Sequence, residues 1–151
     1  MTVEQRLQQL EDRVAIKAIV DTFSNLADAG DIATQMQLLT EDAEIDTYFG
    51  DTLYAALKGR AEIEKVFSSF SAHFVSTFHL NGQQVIELDG DTAASQHYCQ
   101  VMQIASDGAK KQLTTNAVSY RDTYVRRPDG WKIAKRIARF RWSDTREMVA
   151  A

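Results

Sequence analysis

Three Asp-Gly turn signals, at Asp89-Gly90, Asp107-Gly108 and Pro128-Asp129-Gly130, divide the second half of this chain into four consecutive extended segments. Glycine supplies the positive φ that a tight hairpin demands, so the segments are expected to form one antiparallel meander. The stretches between turns, roughly Asp91–Ser106 and Ala109–Arg127, are about two to three times the usual strand length of ~5–6 residues. Strands of that length twist, coil and bend at bulges, which predicts a strongly curved sheet with a concave face. Closed by helices, such a face becomes a pocket.

The first half supplies the helices. Thr2 and Gln5 are spaced as a capping box, and apolar residues then follow helical spacing through Val3, Leu7, Leu10 and Val14. Beyond Val14 the stripe changes phase, to Ile16, Ile19, Val20, Phe23 and Leu26. One helix therefore presents two faces in succession. The later face is expected to cover the sheet, while the earlier one is free to pack on a partner subunit or fold back on its own domain. Asp28-Ala29-Gly30-Asp31 ends this helix, and Asp31 caps a short second one through Ile32, Gln35, Met36 and Leu39. Ala43–Phe49 alternates as a short strand. A third helix follows Gly59 with Ile63, Val66, Phe67 and Phe70, and the meander runs from near Val75 to near Trp142. Asn81-Gly82, inside its first strand, reads as a bulge. Helices first and antiparallel strands later define an α+β domain with its helices on one face, expected to span residues 1–151 as a single unit.

With 44% hydrophobic residues among 151, the chain has material for a real core. A net charge of −4 without a basic run makes nucleic acid a poor partner. No apolar leader opens the sequence and no stretch approaches the ~20 apolar residues of a membrane span, so a cytoplasmic protein without membrane contact is expected. The single Cys99 excludes an internal disulfide and reads as a small buried residue. No Cys/His spacing points to a metal.

Three histidines remain to be placed. His73 falls at a helix-to-strand junction and reads as a solvated loop residue. His79 lies on the strand face opposite Phe78 and Leu80, and His97 shares its face with Ser95, Cys99 and Val101. The turn at Asp89-Gly90 pairs residues whose numbers sum to about 179, so His79 falls opposite a residue near 100, with His97 close by. If both rings face the cavity they form a proton-transfer site; the alternative is a pair of solvent-facing strand histidines. Asp28, at the end of an apolar helix face, either caps the turn or enters the pocket to hold a histidine N–H.

Several phrases along the chain carry a family likeness: Leu10-Glu11-Asp12-Arg13-Val14-Ala15-Ile16, Asp28-Ala29-Gly30-Asp31, Leu39-Thr40-Glu41-Asp42-Ala43, Gly59-Arg60-Ala61-Glu62-Ile63, Asp89-Gly90-Asp91-Thr92-Ala93, and Tyr124 through Ile133. From Val3 to about Asp144 the sequence resembles SnoaL-like members of the nuclear-transport-factor-two-like superfamily. The resemblance implies a cone-shaped fold, a curved sheet wrapped with helices around a deep pocket. At its polar positions the chain is most similar to scytalone dehydratase and the dehydrochlorinase of lindane breakdown. That likeness implies a proton-abstracting dyad of Asp28 and His79, with His97 as a further acid. Phe23 stands where related dehydratases often carry tyrosine, so Tyr48, Tyr54 or Tyr98 would have to replace the missing hydroxyl.

The expected function is a cofactor-independent lyase or isomerase acting on a small, mostly apolar carbonyl or ring compound. Asp28, His79 and His97 are the expected catalytic residues; Phe23, Tyr48, Tyr54, Cys99, Asn116 and Arg139 are the expected substrate contacts. Arg141 is a further candidate, and Asp122 is read as pairing with Arg139 across strands. Trp131, Trp142, Phe67, Phe70 and Phe74 read as core. A homodimer through the outer sheet face, where Met102 and Ile104 lie, is expected. The rival is a non-catalytic ligand-binding or assembly domain of the same fold, which would hold Asp28 and His79 too far apart to bond.

Overall fold

The first helix, α1 (Val3–Ala29), starts with a complete capping box in which Thr2 and Gln5 exchange hydrogen bonds, and it closes on Gly30 in the left-handed conformation. This computed structural model describes residues 1–149. α1 is followed by α2 (Ile32–Met36), β1 (Leu39–Phe49), β2 (Thr52–Lys58), α3 (Arg60–Ser71), β3 (Ser76–Asp89), β4 (Thr92–Asp107), β5 (Lys110–Arg127) and β6 (Gly130–Glu147). The fold is α+β, a curved six-stranded open sheet with three helices. Its strand order is β2-β1-β6-β5-β4-β3.

Two features differ from the sequence reading. Leu39 belongs to β1 rather than α2, and the strand β2 follows it as a hairpin through Gly50, making six strands where five were expected. The sheet is also mixed: β1 lies parallel to β6, whereas every other pairing is antiparallel. β1 reaches β6 through the intervening α3 and meander, and a crossover of that length permits parallel pairing.

The phase change in α1 divides its burial. Ile16, Val20 and Phe23 enter the core with Met36, Ile63, Leu39, Ile45, Tyr124 and Ile133. Val3, Leu7, Leu10 and Val14 stay exposed and do not fold back on the domain. Between the two faces, buried Asp12 accepts paired 2.8 Å hydrogen bonds from Arg126 and one of 3.0 Å from the Trp131 indole. This clasp joins α1 to the β5–β6 hairpin and holds the Asp12 carboxyl at a pKa of about 2, chiefly through Arg126. Trp131 is core, but Trp142 is 59% exposed, because it follows a bulge that turns it to the outer face of the sheet. Among the described residues no helix is long and apolar enough to cross a membrane.

Candidate active site

Gly30 is what frees Asp28. The backbone N–H groups of Gly30 and Asp31 satisfy the last carbonyls of α1, those of Ala27 and Leu26, so the helix end is closed without a side chain. Asp28 is free to reach β3 instead. β3 is an edge strand, so alternate backbone N–H groups along it face away from its one neighbour. The outward N–H of His79 donates to Asp28 Oδ2 at 2.9 Å, the Thr77 hydroxyl donates to Oδ1 at 3.3 Å, and His79 Nδ1 lies 2.5 Å from Oδ1. With Nδ1–H held by the carboxylate, Nε2 is the nitrogen with a free lone pair.

Register places that ring. His79 stands opposite Val101, and the pairing slips by one residue between Asn81 and Gln84, so a bulge lies at Gly82-Gln83. Because of it, Thr77, His79 and Asn81 share the concave face with Gln84, Ile86 and Leu88, as the half-buried positions show. Asn81 ties this stretch to α1 by donating at 3.1 Å to Asp21 and to Ser24.

His79 and Thr77 line a cavity of about 350 Å³ between α1, α2, α3 and the sheet. Its walls are mainly apolar, with Phe49, Phe67, Phe70, Phe74, Phe140 and Tyr54 supplying aromatic rings. Phe70 and Phe74, read as core from their spacing, belong to the wall, while Phe67 both packs on the core and lines the cavity. Phe23 and Tyr54 also line it.

Other nominated residues lie elsewhere. His97 is 2% exposed, does not line the cavity, and stacks on Tyr120 with ring centres 4.9 Å apart. Neither ring nitrogen has a hydrogen-bond partner; Nδ1 is 3.9 Å from Asp122. Burial, then the charge of Arg136, lowers its pKa to about 4, so the ring is neutral at pH 7. Tyr48 and Arg139 pair with each other on the outer face, the guanidinium 4.7 Å from the ring. Tyr98 is exposed on that face as well. Cys99 and Asn116 are buried beside the site without lining it; burial raises the thiol to about 11, and Asn116 is spent on the Val101 carbonyl and Gln103. Arg141 is exposed, and His73 is a surface residue bonded to the Ser69 carbonyl.

Arg136, which the sequence reading passed over, is the partner of Asp122 in place of Arg139. It makes two 2.9 Å hydrogen bonds to that buried carboxylate. Its guanidinium lies between Tyr120, at 4.1 Å, and Phe23, at 4.8 Å, and lines the cavity. Burial opposes its charge, but the field and hydrogen bonds of Asp122 outweigh that and hold its pKa above the usual value. Among the described residues no three metal-ligating side chains converge.

A family model for the SnoaL-like domain matches residues 8–137. The chain belongs to the SnoaL-like family. An uncharacterized protein of Mycobacterium tuberculosis is 30% identical over 134 residues, 85% of each chain. Solved structures similar to this SnoaL-like domain include three with TM-scores near 0.8. One, from Novosphingobium aromaticivorans and assigned as an aromatic ring hydroxylase, is 25% identical over 92% of this chain and 94% of its own, with a TM-score of 0.80. Another from the same organism, assigned as a scytalone dehydratase, is 18% identical over 99% and 95%, at 0.77. The hexachlorocyclohexane dehydrochlorinase of Novosphingobium barchaimii is 17% identical over 97% and 96%, at 0.78. The SnoaL-like fold thus hosts differing assigned reactions, and the chemistry of this chain has to be argued from its own site.

Proposed function

We propose that this protein is a cofactor-independent lyase or isomerase that removes a proton from a small, mostly apolar carbonyl or ring compound, with His79 as base and Asp28 as its orienting partner. The observation that carries the reading is the 2.5 Å contact between Asp28 and His79 at the wall of an apolar cavity. Dehydratase and dehydrochlorinase assignments among the structural neighbours support the same class.

The step follows from the geometry. His79 Nε2 takes a proton from a carbon next to an electron-withdrawing group. In an elimination the C–H electrons become the new carbon–carbon double bond as the bond to the leaving group breaks, a halide departing as the anion and a hydroxyl as water with the proton returned by the His79 imidazolium; in an isomerisation the C–H electrons pass into an enolate, which the imidazolium reprotonates at another carbon. Asp28 stabilises the imidazolium and fixes the ring. Arg136 is the cationic side chain on the cavity wall, suited to an oxygen or leaving group that gains electron density. Apolar walls exclude water and strengthen both effects.

A panel of β-hydroxy ketones, halogenated rings and enolisable ketones tests this. At least one should be turned over by the wild type. His79→Ala should abolish that turnover, and Asp28→Asn should lower kcat by about 10²–10⁴-fold with the fold retained. If both variants bind ligand like the wild type and no compound reacts, the domain is a binding module instead.

A further inference from the structure

Gln35 is 1% exposed and lines the cavity, yet its carboxamide is only half satisfied. Nε2 donates to the Phe23 carbonyl at 3.0 Å, while Oε1 is buried without a partner. Flipping the amide does not help, because it would set two acceptor oxygens against each other. A buried acceptor left unpaired is destabilising, so a ligand that supplies the missing donor gains by it. Arg136 has a matching vacancy: Nε and Nη2 serve Asp122, and Nη1 makes no hydrogen bond to the described residues. Phe23 connects the two groups, with its carbonyl on Gln35 and its ring under the Arg136 guanidinium.

We infer that Gln35 and Arg136, both on the wall of this cavity and both against Phe23, together form a hydroxyl-recognition subsite, so that the substrate class is a neutral, hydroxyl-bearing ring compound. The hydroxyl hydrogen is donated to Gln35 Oε1, and its oxygen accepts from Arg136 Nη1–H. A bare carbonyl or an ether fills only the arginine's half. A phenolate or carboxylate would meet the arginine but face the lone pairs of Oε1. Only a group that both donates and accepts satisfies the pair. This inference rests on the cavity being the substrate site and deepens the proposed function: the group held by Gln35 and Arg136 is a hydroxyl, which in the elimination is the group whose carbon–oxygen bond breaks and which leaves as water.

Binding of 2-naphthol, 2-methoxynaphthalene and naphthalene, followed by calorimetry, tests the assignment. The wild type should prefer the naphthol to its methyl ether by about tenfold, the worth of one hydrogen bond. Gln35→Met should bring the two within about threefold of each other while naphthalene binds as before. A wild type that does not discriminate, or a variant that still does, overturns the subsite. Should Gln35→Met fail to fold for want of its bond to Phe23, the wild type still decides: the ¹³C resonance of the Gln35 carboxamide should shift with 2-naphthol and stay fixed with the ether. An unmoved resonance is equally fatal. His79→Ala should keep the naphthol preference, so loss of catalysis and loss of recognition read separately.

Discussion

His97 cannot find a hydrogen bond for either ring nitrogen, and that makes it a liability in acid. Its pKa in the folded protein is lowered from 6.5 to about 4, by burial first and by Arg136 second. Between those values the unfolded chain takes up a proton that the folded protein refuses. Stability is therefore complete above about pH 6.5 and declines as the pH falls toward 4, by about 3 kcal/mol. Thermal melts over that window should show the decline, and His97→Phe, which keeps a ring against Tyr120 but does not titrate, should flatten it. A variant as pH-sensitive as the wild type would refute the argument. Not every neighbour of this histidine was legible in the sequence. Unbroken alternation from Ile133 would point Lys135, Ile137 and Arg139 inward. The β5–β6 register slips between Thr123 and Tyr124, where Ile133 is followed by Lys135 as the next paired residue, and the slip turns Arg136 and Ala138 inward instead. A bulge without a glycine leaves no mark in composition. Tyr48, by contrast, stands out of phase with Ile45, Thr47 and Phe49, so its outward position could have been read from alternation alone.

At the scale of elements, the bulge in β3 decides which way His79 faces. Asn81 stands opposite Cys99 and Gln84 opposite His97, so three steps on β3 match two on β4. Removing one residue restores a regular ladder and forces one half of β3 to turn over. Ile86 and Leu88 pack on the core next to the tight Asp89-Gly90 turn, so the His79 half should yield. Deletion of Gln83 should therefore leave a cooperative melt while costing at least about 10²-fold in turnover. Activity at the wild-type level would show that the bulge does not set the ring's direction. Asn81-Gly82 gave this bulge away in advance, as the Asp-Gly pairs did the hairpins, because glycine marks both. β2 carries the same glycine mark in Gly50-Asp51, but it is short, largely exposed and apolar at every position from Leu53 to Leu57, so no period of two appears in its sequence. Pairing between β1 and β6 is non-local, and nothing in either strand alone specifies it.

The whole molecule leaves an apolar band on the outside of its sheet. Leu80, Gln100, Ala117 and Trp142 follow one another across β3, β4, β5 and β6, flanked by Phe78 and Tyr98. Leu80, Phe78, Tyr98 and Trp142 are each more than half exposed. We propose that a second copy covers this band, since a standard interface needs only about 800 Å² from each partner. Light scattering should give about twice 17.0 kDa, and Phe78→Lys with Tyr98→Lys should return it to the single-chain mass. A wild type already at 17.0 kDa at micromolar concentration rules the dimer out. The order of the strands has another consequence. β6 sits between β1 and β5 in space but comes last among the described elements in the chain. During synthesis the β1–β2 hairpin has no further strand to pair with until that segment leaves the ribosome, and the Phe49 and Phe140 walls cannot meet before then. Anything that delays release of the C-terminal segment should lower the yield of competent molecules while leaving the specific activity of those that mature unchanged.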